Sequence, residues 1–592
     1  MRTLALVVVI TLAACAPDAP VAPVAPAAPA APALASLDPA ALESFISATV
    51  KEQHAVGVNV GVMQHGQVIF AKGYGLANTA ANAPVTPDTL FAIGSITKQF
   101  TGAAILALSD DGRLSVSDPI TKYFSDVPSD KQSITLHQLL THSSGIMNLE
   151  GVGDFDAISR DEFVRRAMVQ ELAFPPGEGY EYSNAGYSLL GAIIEQLTGA
   201  SYETFVRERF FLPAGMKDTG YILPDFDMQR VAQGYEGDET WGTVLEHPMA
   251  DDGPYWVLRA NGGIHSTVED MNRWAQYLLS GKALSPASMK AYWSPQVDEG
   301  GGDSFYGYGW VVIDKDGTRI ITHNGGNGIF FADMLIVPAS GVVVVLQCNV
   351  LADFRAVNQM LQQIGAHLML GEPLPGVPDV VKKTRAELER YAGGYALAGG
   401  GSLNVTAEEG FLDITADDSR AFSALFSTRP GDPQRAAQRN EQIETIVSAW
   451  LRGDVEPLWD AYGERVTMDR LRAAQEEAMA EWAEQYGAPT SHRVLGTAFR
   501  EEDVTMVRVE FERGYVDRLY VWDPESDGKL LGVSRSGMEP VLHVYPQPDG
   551  TFASWENRRG TCRPLTIEPA DNGTMRLVFT DAENLQAIRP AH

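Results

Sequence analysis

The stretch "LFAIGSITKQFTGAAILALSDDG", Leu90 to Gly112, sets Ser95 three residues before Lys98 where a helix begins. Apolar residues at Ile96, Phe100, Ala103, Ala104 and Leu108 recur at helical spacing, and "DDG" stops the run. At i and i+3 the serine and lysine lie on one helix face, so the amine meets the hydroxyl. Ser95 at the helix start also faces free backbone N–H groups and the positive end of the dipole, which favour negative charge there. Such a pair arises about once or twice by chance in a chain this long. The rest of the chain decides what it means.

Acyl transfer needs a nucleophile, a base within hydrogen-bond reach, and donors aimed at the developing oxyanion. "GYEYSNAGY" places Tyr182 and Asn184 two apart in a segment expected to be extended, which points both side chains the same way. The tyrosine can relay a proton; the amide can hold the lysine or a substrate carbonyl. "IITHNGGNG" puts His323 at a strand end ahead of Gly325 and Gly326, which permit close backbone approach by a ligand. Taken singly, the tyrosine also fits loop packing and the histidine a structural role.

In this order and spacing the three elements resemble the serine β-lactamase and penicillin-recognising hydrolase family, particularly its class C-like branch with DD-peptidases and esterases. The resemblance covers about residues 40 to 370. Further segments look like family segments in family order: "LLTHSSGI", "FPPGEGYEYSNAGYSLLGAIIEQLTG", "FLPAGMKDTGY", "NGGIHSTVEDMNRWAQYLLSG", "YGYGW" and "HNGG". It implies Ser95 as nucleophile, Lys98 as its base or electrostatic activator, Tyr182 as proton carrier to the leaving group, and Asn184 as the group orienting Lys98 and substrate. His323, with Gly325, takes the substrate-binding place where many β-lactamases carry lysine, and the backbone N–H groups of Ser95 and Gly326 form the oxyanion hole. A histidine is only partly charged near neutral pH, which favours peptidase or esterase activity over a dedicated β-lactamase. Ser143 and Ser144 of "THSSG" are rival nucleophiles without a lysine at the right spacing, and the aromatics of "YGYGW" read as strand packing.

Around this core the pattern is α+β. "VGVNVGVMQHGQVIFAKGYGLAN" alternates on both sides of "HG" and reads as a hairpin. Helices follow through "LHQLLTHSSG", "DEFVRRAM" and "GYSLLGAIIEQLTG". "GWVVID" and "TRIITH" about "KDG", then "IFFADMLIVP" and "GVVVVLQCN", read as three consecutive antiparallel strands, closed by a helix over 357–370. One mixed antiparallel sheet assembled from both ends, flanked by helices and holding a helical insert, follows for residues 38–372. "GEPLPGVPDV" marks a linker, drawn at 373–388. Beyond it, residues 389–428 and 538–592 resemble two parts of a lipocalin-like barrel, and 429–537 resembles a nuclear-transport-factor-2-like α+β domain inserted between them. Two successive α+β domains are the alternative.

The first 15 residues read as an export signal: Arg2 is followed by an apolar run, Leu4 to Leu12, too short to span a bilayer. "LAAC" resembles a bacterial lipobox with Cys15 as the lipid-modified residue, and Ala16 favours the outer membrane on the periplasmic side. Prolines recur every third residue from Pro17 to Pro32, so 16–37 forms a semi-rigid spacer. With 45 basic against 76 acidic residues the net charge is -31, which repels phosphate backbones and argues against nucleic acid. No Cys/His spacing suits zinc, so neither metal nor cofactor is expected. Cys348 and Cys562 remain, with no basis in sequence for bridging them, and the oligomeric state is left open. The chain is thus expected to be a lipid-anchored serine hydrolase acting on a small-molecule, peptide or peptidoglycan substrate, D-amino-acid-containing peptides foremost. A small-ester esterase, a β-lactamase and a non-catalytic binding protein are the alternatives.

Overall fold

The computed structural model describes residues 38–589 except 53–54, 150, 237–238, 300–302, 316, 350–353, 373, 375–379, 464–465, 501, 525, 527, 536–539, 557–560, 571–573 and 580–585. The signal, Cys15 and the proline spacer lie outside the described residues, as does the side chain of Cys562. The chain forms two compact units that divide at Pro375.

In the first unit, strands Gly57–Gln64 and Gln67–Asn78 turn back at His65 and Gly66, whose φ values of 53° and 74° are those a two-residue hairpin turn requires. Gly57–Gln64 pairs with the last strand of the unit, Val342–Cys348, with Val58 opposite Cys348 and Val60 opposite Leu346. Sheet order from there runs Phe331–Val337, Thr318–Gly326, Val311–Lys315, Ser304–Tyr306 and Val297–Asp298; Ala83–Pro84 closes the other edge. The sheet is thus built from both chain ends and is antiparallel throughout. It takes six late strands, not three: the "KDG" turn splits one run into two paired strands, and two further strands are too short for alternation to reveal.

Every residue of Phe331–Val337 and Val342–Cys348 is buried because helices cover both faces. Leu335 meets the closing helix Phe354–Leu370 at Gly365, while Val343 and Val345 join the large core around Trp274 of helix Val268–Leu279. Within the insert, helix Thr97–Asp110 is buried from Thr97 to Leu108 on all sides, wider than the single apolar stripe of its sequence. Lys98, Gln99 and Thr101 are therefore internal polar groups that need partners.

The second unit contains a closed eight-stranded barrel. Gly393–Leu397, Ser402–Ala407 and Leu412–Ala416 are completed by Val541–Pro546, Phe552–Glu556, Thr561–Pro569, Met575–Phe579 and Gln586–Arg589. Between its third and fourth strands lie helices Ser419–Phe426, Pro433–Trp450, Glu456–Tyr462 and Met468–Tyr486 and a four-stranded antiparallel sheet, Pro489–Ala498 to Leu530–Arg535. The barrel interior is filled by Tyr395, Leu403, Ile414, Leu565 and Leu577, with Phe422 and Phe426 of the first intervening helix in the same core.

Candidate active site

Ser95 occupies a single 3-10 turn, Gly94–Ile96, at the head of helix Thr97–Asp110. Side chains at i and i+3 nearly eclipse across such a turn, which brings Lys98 Nζ to 3.1 Å from Ser95 Oγ. Gly94 has φ of +50°, and a Cβ there would stand 2.4 Å from the Gly326 nitrogen. A Cβ on Gly325 would stand 2.1 Å from the Ile93 carbonyl oxygen and 2.5 Å from the Ser95 nitrogen. These glycines therefore let strand Thr318–Gly326 press on the serine turn. Gly325 is buried, and the close backbone approach it permits is made by the nucleophile turn itself.

Lys98 is fully buried, and its Nζ has three acceptors: Ser95 Oγ, Asn184 Oδ1 at 2.7 Å and the Asn261 carbonyl oxygen at 3.0 Å. Burial holds the amine well below its usual range, opposed only by the charge of Asp154. A neutral amine has two N–H groups and one lone pair. In the protonated form the third N–H goes to Ser95 Oγ; in the neutral form the amide and carbonyl oxygens, which only accept, take both N–H groups and the lone pair is left for the Ser95 hydroxyl. The rings of Tyr182 and Tyr187, 4.7 and 5.6 Å from Nζ, receive the charge when the amine is protonated.

Tyr182 is hydrogen-bonded to Ser95, and burial raises its phenol far above its ordinary value, so it is neutral. Asn184 is the first residue of helix Asn184–Thr198 rather than part of an extended run, and Ser183 caps that helix by accepting from the Gly186 N–H at 3.0 Å. The two side chains still converge on Ser95 and Lys98, because the chain turns into the helix between them. His142 supports this turn: its Nδ1 accepts the Ser183 N–H at 3.0 Å, and its ring lies 4.3 Å from that of Tyr182.

His323 is buried, and burial lowers its pKa to about 3. Its Nδ1 lies 2.5 Å from the Asn324 carbonyl oxygen, which only accepts, so Nδ1 carries the hydrogen. Nε2 must then accept the Tyr306 hydroxyl at 2.8 Å. The expected partly charged substrate contact is thus a neutral imidazole with both nitrogens engaged, because strand and aromatic packing exclude water from it. Its ring centroid stands 6.4 Å from that of Tyr182.

Sequence reasoning missed four contributors. Asn261, from "NGG", gives Lys98 a carbonyl while its own amide donates to Ser188 Oγ and the Val257 carbonyl, both at 2.8 Å. His142 and Tyr306 stood in "THSSG" and "YGYGW", read only as structural segments. Asp154 sits in a loop with no periodicity or motif to mark it, yet lines the cleft beside Ser95, Asn184 and Asn261. The rival serines are engaged elsewhere: Ser143 Oγ with Thr141 Oγ1 at 2.9 Å, Ser144 Oγ with the Ile146 N–H at 3.2 Å.

The family described as Beta-lactamase matches residues 42–367, more than half of the chain. The chain belongs to the beta-lactamase family. A penicillin-binding protein of Bacillus subtilis (strain 168) is 29% identical over 381 residues, spanning 61% of this chain and 84% of the relative. An unguisins hydrolase of Aspergillus campestris is 31% identical over 326 residues, 51% of this chain and 60% of that one. In fold, an octameric penicillin-binding protein homologue from Pyrococcus abyssi covers 93% of this chain and 100% of its own at a TM-score of 0.53 and 21% identity. As a beta-lactamase family member with this site, the chain is a hydrolase of the serine type.

Proposed function

We propose that this family member cleaves amide or ester bonds through an acyl-enzyme on Ser95. The observation that carries this reading is the arrangement around Lys98 Nζ, which lies 3.1 Å from Ser95 Oγ while Asn184 Oδ1 and the Asn261 carbonyl oxygen take two of its N–H groups at 2.7 and 3.0 Å, so that the amine, once deprotonated, has its lone pair left for the serine hydroxyl. Lys98 takes the hydroxyl proton as Oγ bonds to the substrate carbonyl carbon. The Ser95 and Gly326 N–H groups stabilise the oxyanion, each such donor contributing about 10²–10³ in rate. As the bond to the leaving group breaks, neutral Tyr182 passes a proton to the departing nitrogen or oxygen and is reprotonated by Lys98. Water then attacks the ester, with the same groups working in reverse, and releases the acid.

The lipobox-like "LAAC" supports attachment at Cys15 and a periplasm-facing outer-membrane location. Globomycin-sensitive processing of the full-length chain tests that separately. For the chemistry, wild type and Ser95→Ala are compared by intact mass with a fluorescent penicillin and by turnover of p-nitrophenyl acetate. A Ser95-dependent adduct or turnover is expected. Absence of both, with folded protein, overturns the acyl-enzyme reading.

A further inference from the structure

The cleft in front of Ser95 has an electrostatic character that the reaction scheme does not require. Its walls are the apolar Phe155, Val244, Leu258 and Phe330, and Asn184, Asn261 and Asn327 are among its polar lining residues. One side chain among its lining residues is charged, the carboxylate of Asp154; no Arg or Lys is among them. Two nearby groups that can carry positive charge are unavailable to a ligand: Lys98 lies behind the serine with its N–H groups engaged, and His323 is neutral with both nitrogens bonded. Among the described residues Asp154 has no ion-pair partner within contact distance. It stands at the solvent-exposed mouth, yet the surrounding protein is enough to raise its carboxyl pKa, against the pull of Lys98. Its neighbour Phe155 stacks on His247 at 3.8 Å and 8°, which fixes the loop against the body.

We infer that Asp154 is a specificity-determining residue that binds the free ammonium group of an aminoacyl substrate with an apolar side chain. This rests on the acyl-enzyme reading and names its substrate class. A substrate carboxylate would meet one uncompensated negative charge and no cation, whereas an α-ammonium beside the scissile carbonyl gains a charge-assisted hydrogen bond. The apolar side chain of the same residue packs on Phe155 and Phe330. In the reaction the Ser95 Oγ–C bond forms, the C–N or C–O bond to the leaving group breaks with a proton delivered to that group, and water releases the free amino acid.

The test uses the full chain with phenylalanine p-nitroanilide in both enantiomers, their N-acetyl counterparts, and p-nitrophenyl acetate as the control for Ser95 chemistry. The free-amine substrate of the preferred enantiomer is expected to exceed its N-acetyl form in kcat/KM by about 10-fold or more, and Asp154→Asn is expected to reduce that ratio by about 10- to 100-fold. Asp154→Lys is expected to invert the preference toward N-succinyl-phenylalanine p-nitroanilide. Equal or better turnover of the N-acetyl form by wild type overturns the proposal. So does an Asp154→Asn variant that lowers both substrates equally, since Asp154 would then act through Lys98. Ser95-dependent acetate turnover with no amine preference removes this proposal alone, and loss of Ser95 dependence for every substrate removes the acyl-enzyme reading with it.

Discussion

Lys98 decides what Ser95 can do, because its charge state depends on burial and its direction on Asn184 and Asn261. Lys98→Met keeps the chain length and loses the base, so acylation by p-nitrophenyl acetate should fall by about 10²–10⁴ with an unchanged far-UV spectrum. The pH profile carries the sign of the shift. Protonation removes the lone pair, so kcat/KM should fall as acid takes the amine through its depressed pKa, and that fall should lie well below the ordinary lysine value. A rate that rises only near the ordinary lysine value of 10.5 would contradict a neutral base. Tyr182→Phe separates the two proton steps. Amide cleavage should drop by about 10²–10⁴, and p-nitrophenyl ester cleavage much less, because p-nitrophenolate leaves without a proton. At this scale Ser95, Lys98, Tyr182 and Asn184 were legible in their spacing. The condition of His323 was not, since neutrality follows from burial against strands distant in sequence.

Between elements, the site depends on how closely strand Thr318–Gly326 approaches the 3-10 turn of Ser95. Gly325→Ala drives a methyl into the Ile93 carbonyl and the Ser95 nitrogen, so we expect about 1–3 kcal/mol of destabilisation in urea unfolding together with loss of the Ser95 adduct. Gly365→Ala is the contrast. Its methyl would meet Leu335 at an ordinary 3.5 Å inside helix Phe354–Leu370, so stability should rise by about 0.5–1 kcal/mol with activity retained. The hairpin, the nucleophile helix and the main late strands follow from alternation and 3.6-residue periodicity. The two edge strands, Val297–Asp298 and Ser304–Tyr306, do not, because two or three residues are too few to establish a period.

Across the first unit, His142, His265 and His323 are all buried with depressed pKa values, about 4 for His265 and about 3 for His323. Below the ordinary value of 6.5 the unfolded chain binds protons these histidines refuse while folded. Stability should therefore rise with pH between about 4 and 6.5 and be lost progressively as acid is added through that window, measurable as a Tm that falls below pH 6.5. A Tm flat from pH 7 to 4.5 would contradict the burial. Each unit has its own apolar core. The nucleophile turn, the periodic helices and strands and the ordered family segments can be read from the chain alone, since these depend on local spacing and on which face of an element is apolar. The tertiary structure alone decided the acceptors of Lys98, the neutrality of His323, the partner of Gly325 and the exposure of Asp154 in the cleft. Those properties arise from distances between residues 90–98, 142–184, 261 and 323–326, and from the loss of water where they meet; neither is encoded in any one stretch of chain.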